Sequence, residues 1–234
     1  MPFQLYYEGG INMEIKQMLL TPSKFNRPQT KIKPTAIAWH YVGNPSTSAI
    51  ANRNYFESLK AGKKNSKGNY IYASSNFIIG LDGEIIECIP VGEKSFCTNQ
   101  ANGYTISVEC CHPDGTGKFT EATYNSMVWL GKYLMQKYNI KNNIRHYDVT
   151  GKHCPKWFVD NPSEWEKFKA ELEVEDVPRY KTVEEMPEYY RKDMQELIDR
   201  GVIAGRGGEA GLDLSDDMCR MAIYAKKIFE GGNK

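Results

Sequence analysis

"TAIAWHYV", residues 35–42, follows Pro34 as an unbroken apolar, β-branched and aromatic run with one histidine, His40, close to its end. A run of that kind after a proline reads as a β-strand. The next segment, "STSAIANRNYFESLKAG" (46–62), reads as a helix. Ser46 or Ser48 can cap it, Ile50, Tyr55, Phe56 and Leu59 give a partly apolar face, and Gly62 can end it. "NFIIGLDGEIIECIP" (76–90) places two apolar runs around Asp82-Gly83, a hairpin signal. "YTISVECC" (104–111) is another buried-strand candidate. "TEATYNSMVWLGKYLMQKYNI" (120–140) is a helix with Thr120 as N-cap and a stripe through Tyr124, Met127, Val128, Leu134, Met135 and Tyr138. "NIRHYDV" (143–149) returns to an extended run. Strands interspersed with helices predict an α/β domain over residues 13–172.

Around that domain the composition changes. Residues 1–12 are rich in Gly and Tyr without a clear period, so they form an N-terminal extension, either an ordered strand or the result of an upstream start, with Met13 as the alternative start. "ELEVEDVPRYKTV" is acidic and then carries Pro178, and a linker is expected over 173–180. Residues 181–234 predict a small helical domain with helices over 187–200 and 215–229. The first presents Tyr190, Met194, Leu197 and Ile198 on one face. The second presents Met218, Ala222, Ala225 and Phe229, with Ser215 as its cap. The Gly-rich turn between them does not follow a strand and open a helix, so it is not a dinucleotide loop.

The chain has 234 residues, 41% hydrophobic and 25% charged, with a net charge of +1. These are the values of an ordinary globular protein, and the charge gives no electrostatic case for nucleic acid. No apolar run approaches the roughly 20 residues needed to span a bilayer, so no membrane insertion is expected. The opening residues lack a basic n-region, an apolar h-region and a small-residue cleavage site, which predicts cytoplasmic synthesis without a signal peptide. Six cysteines are too sparse for a disulfide scaffold, and free thiols are expected. Cys88, Cys97 and Cys219 read as small buried apolar residues.

"RHYDVTGKHCPKW" (145–157) gathers His146, His153 and Cys154. Imidazole and thiolate are zinc ligands, and a catalytic zinc site takes three protein ligands and keeps one position open. Two ligand types eight residues apart are not enough, and His40, at another strand end, is the third candidate. By spacing alone, each could equally be a hydrogen-bonded structural residue. Cys154 could also be a thiol nucleophile with His146 or His40 as base. His153 and Cys154 are neighbours on a loop, so both are not expected to face one ion.

"TAIAWHYVGN", "NFIIGLDGEI", "TISVECC" and "RHYDVTGKHCP", in this order, resemble the type 2 zinc N-acetylmuramoyl-L-alanine amidases, a family that includes phage endolysins and is related to the peptidoglycan recognition proteins. "MEIKQMLLTPSKF" resembles the start of endolysin amidases from Gram-positive phages. The resemblance implies a central mixed β-sheet flanked by helices, with Zn2+ as cofactor and His40, His146 and Cys154 as its ligands. It implies Glu109, in the "SVE" strand, as general base, and Lys152 as a second catalytic residue. Recognition-only relatives lack the cysteine ligand, so Cys154 implies an enzyme rather than a peptidoglycan-binding module. Ser75 stands where certain phage members carry a tyrosine. With Tyr41, Asn44, His112 and Trp157 it completes the candidate substrate-groove residues.

The implied substrate is bacterial peptidoglycan, cut between N-acetylmuramic acid and L-alanine. The setting is a phage or prophage endolysin that reaches Gram-positive, Clostridia-type walls with the help of a holin. The C-terminal piece resembles a single S-layer-homology-like helix–turn–helix repeat. It is expected either to bind wall or to form a homodimer.

Overall fold

The computed structural model describes residues 13–173, 179–205 and 211–231. They divide into two compact units, Met13–Val174 and the described residues beyond it. The N-terminal extension, most of the expected linker and part of the Gly-rich turn lie outside the described residues.

In the first unit the elements are β1 (Ile15–Gln17), β2 (Ala36–Tyr41), α1 (Ala49–Ser58), β3 (Phe77–Ile79), β4 (Ile85–Glu87), β5 (Thr105–Cys110), α2 (Glu121–Tyr138), β6 (Asn142–Arg145), α3 (His146–Thr150), α4 (Lys156–Asp160) and α5 (Pro162–Glu173). The sheet order is β1-β4-β3-β5-β2-β6, parallel except for the β3–β4 hairpin. β2 and β5 are interior strands, which explains their near-continuous apolar runs: both faces are covered. The hairpin turns at Gly83, whose φ of +85° suits glycine, and a Cβ there would meet Ser126 Oγ at 2.8 Å.

The register between β2 and β5 sets the site. His40 pairs with Glu109 and Trp39 with Val108. Successive strand side chains alternate faces, so His40 and Glu109 share one face and Trp39 takes the other. Trp39 meets Phe168 of α5 edge-on at 4.9 Å and donates its Nε1–H to Asn143 Oδ1. Phe168 in turn stacks on Phe158, and Trp165 meets both rings at a tilt. Each such side chain contributes about 1.5–3 kcal/mol when fully buried. At Gly131 of α2 a Cβ would stand 2.6 Å from Leu172, so glycine permits this close approach.

Three sequence expectations change in detail. Among the large apolar residues expected on the α1 face, Ile50 and Tyr55 are exposed, and the buried side runs through Ala49, Phe56 and Leu59, spaced seven and three residues apart. Ser48 is the cap, its Oγ accepting from Ala51 N–H, and the chain leaves through Gly62 at φ +78°. In α2 Thr120 caps as expected, but burial spreads over Trp129, Leu130 and Gly131 while Tyr138 is exposed. Wedged between the sheet and α5, the helix buries more than one stripe. "NIRHYDV" is extended only to Arg145. The Asp148 carboxylate accepts from the Arg145 backbone N–H at 2.8 Å and pairs with its guanidinium, capping a turn of helix that begins at His146.

In the second unit, β7 (Arg179–Tyr180) and β8 (Leu214–Ser215) pair antiparallel beside α6 (Glu188–Asp199) and α7 (Asp216–Gly231). Its core is Met186, Tyr190, Met194, Leu197, Leu214, Cys219 and Ile223. α6 therefore buries three of its four expected residues. α7 does not present Met218 and Ala225 inward. It packs through Cys219 and Ile223, and Met218 is exposed. The Phe229 side chain is outside the described residues. Lys226 fixes this rotation by pairing with both Asp193 and Glu196 of α6. No described helix is long and apolar enough to cross a membrane.

Candidate metal and catalytic centre

His40 enters from the end of β2, His146 from the first turn of α3, and Cys154 from the loop between α3 and α4. Their donor atoms lie within 4.8 Å of one another, and all three residues are buried. His40 Nδ1 is 3.8 Å from Cys154 Sγ, and the two imidazoles meet edge-on at 4.8 Å. Donor atoms around a tetrahedral zinc stand roughly 3.5 Å apart, a spacing this cluster approaches. His146 Nδ1 is buried without a hydrogen-bond partner, as is Glu109 Oε2. Leaving a buried polar atom unanswered costs about 1–3 kcal/mol. Two such atoms beside a His-His-Cys cluster fit a site made to receive a cation and a polar substrate.

Electrostatics agree with that reading. Burial, then the charges of His146 and Lys152, hold the His40 pKa well below the usual imidazole range. Burial and Lys152 lower that of His146 to about 4. Both rings are therefore neutral, as metal ligands must be. Burial, reinforced by Glu109, pushes the Cys154 thiol up to about 12. A thiol nucleophile needs the reverse, a depressed thiol pKa beside a protonated base. The metal-free centre is thus poorly arranged for thiolate attack, whereas a bound metal would deprotonate the thiol outright.

Glu109, the register partner of His40, has its carboxyl raised to about 7 by burial, against the opposing Cys97 hydrogen bond and Lys152 charge. With His146 and Lys152 it lines a cavity of about 390 Å³ whose walls include Tyr72, Phe96 and Asn99. Cys97 is not the plain buried apolar residue expected from sequence: its thiol donates to Glu109 Oε1 at 3.3 Å. All six cysteines are free.

The expected groove residues separate. Ser75 is fully buried, its hydroxyl committed to the carbonyls of Phe77 and Ser107. His112 is also buried, its two nitrogens held against the Asp114 and Val42 carbonyls. Both side chains are turned to backbone carbonyls, and neither is among the residues lining the cavity beside Glu109. Tyr41 is half-buried against the His112 ring. Asn44 is exposed, and its carbonyl accepts from the Thr47 hydroxyl. Trp157 lines a different pocket, with the Lys118 ammonium over its ring. His153 is exposed and bonded to Asp160 at 2.7 Å, away from the cluster's donor set.

The sequence reading missed Tyr72, Phe96, Thr98, Asn99 and Asn102. Tyr72, Phe96 and Thr98 lie on irregular segments before β3 and β5, and Asn99 and Asn102 on a single 3-10 turn (Asn99–Gly103), too short for a periodicity to announce which side chains turn inward. A polar run, "CTNQAN" (97–102), was the one available signal.

The family model described as N-acetylmuramoyl-L-alanine amidase matches residues 30–157. The N-acetylmuramoyl-L-alanine amidase CwlL of Bacillus licheniformis is 28% identical over an alignment of 168 positions that covers 64% of this chain and 44% of that one. The chain therefore spans less than half the length of the curated relatives it matches. Among solved structures, a mutant endolysin from Bacillus subtilis is 28% identical with a TM-score of 0.56, covering 68% of this chain and 99% of that one. The structure of PlyL is 26% identical with a TM-score of 0.57, covering 69% and 98%. The chain belongs to the N-acetylmuramoyl-L-alanine amidase family, in its type 2 branch.

Proposed function

We propose that this family member hydrolyses the amide between the lactyl group of N-acetylmuramic acid and L-alanine in peptidoglycan. The observation carrying the proposal is the buried His40, His146 and Cys154 donor set beside Glu109, whose second carboxylate oxygen is unanswered. Those three residues would hold zinc, which when bound supplies Lewis acidity to the scissile carbonyl and the attacking water. Glu109 accepts the proton of that water as its oxygen bonds to the carbonyl carbon. When the C–N bond breaks, Glu109 returns the proton to the departing alanine nitrogen. Lys152, at the rim of the same cavity, stabilises the negative charge that develops on the carbonyl oxygen.

The setting we propose is a phage or prophage endolysin acting on Gram-positive, Clostridia-type walls after holin-assisted release. The C-terminal unit supports a role in self-association. Met218, Met221 and Ile228 of α7 are 46%, 72% and 72% exposed. They recur at the three- and seven-residue spacings of one helix face, and such a face favours a second helix over water.

Zinc analysis together with mass spectrometry of digested walls tests the activity. About one zinc per chain and released peptides with new N-terminal alanine, their glycans intact, are expected. Full activity in metal-free protein would overturn the proposal.

A further inference from the structure

Three consecutive residues, Cys97, Thr98 and Asn99, each touch a different group of the centre. Cys97 donates to Glu109 Oε1. Thr98 Oγ1 lies 3.0 Å from His40 Nε2, and Asn99 Oδ1 lies 3.0 Å from His146 Nε2. In every case one polar atom is taken and the other is left. What remains is Glu109 Oε2 and His146 Nδ1, both buried without partners, and His40 Nδ1 facing Cys154. Asn99 offers an acceptor, so His146 Nε2 must carry the proton and Nδ1 the lone pair. Thr98 can act likewise by donating its O–H to Ser107 Oγ at 3.0 Å, which leaves its oxygen lone pairs to accept from His40 Nε2–H.

The triplet is itself fixed. Asn102 Oδ1 accepts from the backbone N–H groups of both Cys97 and Thr98, at 3.0 and 2.7 Å. Asn99 sits at φ +53°, a left-handed conformation that asparagine tolerates better than most residues. Gln100 ties the same turn to α3 through the Val149 carbonyl. One short segment, clamped by Asn102, thus reaches all three groups at once.

We infer that Cys97-Thr98-Asn99 is a positioning segment: Thr98 and Asn99 fix both ligand histidines in the tautomer that presents Nδ1 to the metal, and Cys97 orients the Glu109 carboxylate with Oε2 free. The inference rests on the proposed zinc hydrolase reading. The role inferred for it is to hold orientation, although Cys97 and Asn99 also line the cavity.

The test is competitive zinc titration of the full chain against a chelator, with absorption spectra of the cobalt-substituted protein. Thr98→Val keeps the shape and loses the hydroxyl, and Asn99→Gly keeps the left-handed backbone and loses the acceptor. Each should weaken zinc binding 10- to 100-fold, the range for a lost outer partner of a metal-binding histidine, and should alter the cobalt spectrum. Thr98→Ser and Asn99→Asp, which keep the polar atom, should hold affinity near that of the original chain. Cys97→Ala should leave zinc affinity unchanged while lowering kcat more than it changes KM, with Cys97→Ser restoring kcat.

Original-chain affinity and cobalt spectra in both Thr98→Val and Asn99→Gly would overturn the inference while leaving the zinc hydrolase intact. Equal losses in Thr98→Ser and Asn99→Asp would also overturn it. A chain that binds no zinc before any substitution would remove both. If Thr98→Val fails to fold, Asn99→Gly decides, because Asn99 is exposed and glycine suits its φ.

Discussion

The two units leave opposite groups unanswered. In the first, a large aromatic and aliphatic core surrounds buried polar atoms without partners, among them Glu109 Oε2 and His146 Nδ1 at the centre, with Ser95 Oγ and Trp129 Nε1 elsewhere. In the second, a small core of seven residues is laced with ion pairs, while Met221 and Ile228 stand in water. An unmet polar atom inside calls for a cation or polar substrate, and an unmet apolar side chain outside calls for another apolar surface. The same comparison can be made within the first unit. Glu57 and Glu109 are chemically identical, yet one is held at about 2 and the other raised to about 7. Burial opposes ionisation of both. At Glu57 it is outweighed by hydrogen bonds from Lys60 and Thr21 and by the charge of Arg53. At Glu109 one thiol and a more distant ammonium cannot offset it.

The largest expected effect removes the polar demand itself. Cys154→Ser should lose most bound zinc and abolish wall cleavage, read by metal analysis and peptide release. A variant that keeps zinc and activity would break the contrast between the units. Glu109→Gln should keep zinc and fold but lose about 10²-fold or more in turnover, the scale of general-base loss. The original enzyme should show an acid limb, because a protonated Glu109 cannot accept a proton. That limb should fall at or below pH 7, since bound zinc pulls the carboxyl pKa lower, and Glu109→Gln should flatten it.

The second unit gives a smaller effect, and a selective one. A chain ending near residue 174 should retain zinc and cleave soluble muropeptides, while clearing intact walls more slowly through lost avidity. Met221→Glu should shift the full chain to a smaller species in sedimentation and leave zinc binding unchanged. An unshifted species would favour direct wall binding by this unit over self-association.

The smallest effect is at Glu57. A carboxyl pKa lowered from 4.5 to about 2 contributes stability that is present above pH 4.5 and lost as pH falls through about 2. The site is only partly shielded from solvent, so the contribution is about 0.2–1 kcal/mol. Glu57→Gln should lower the melting temperature slightly near neutral pH. The difference should shrink as pH approaches 2.

The amino-acid sequence alone carried the interior strands, the Asp82-Gly83 hairpin, the cap at Thr120, and the family resemblance with its His40, His146 and Cys154. These are local signals: an apolar run, a turn pair, a cap, a motif. Tertiary structure chose Ser48 over Ser46 as the cap of α1, and it decided which side chains those elements aim at each other. The parallel register put Glu109 beside His40, a pairing that residues 69 apart in sequence cannot announce. It withdrew Ser75 and His112 into the backbone's hydrogen bonding, because burial had already matched their polar atoms. It turned α7 so that Cys219 and Ile223 face inward, since packing against α6 and the Lys226 ion pairs outweigh a helical periodicity that suits two rotations. And it brought Cys97, Thr98 and Asn99 into the centre, from the entry to a 3-10 turn too short for any period to predict direction, so that only the folded neighbours fix it.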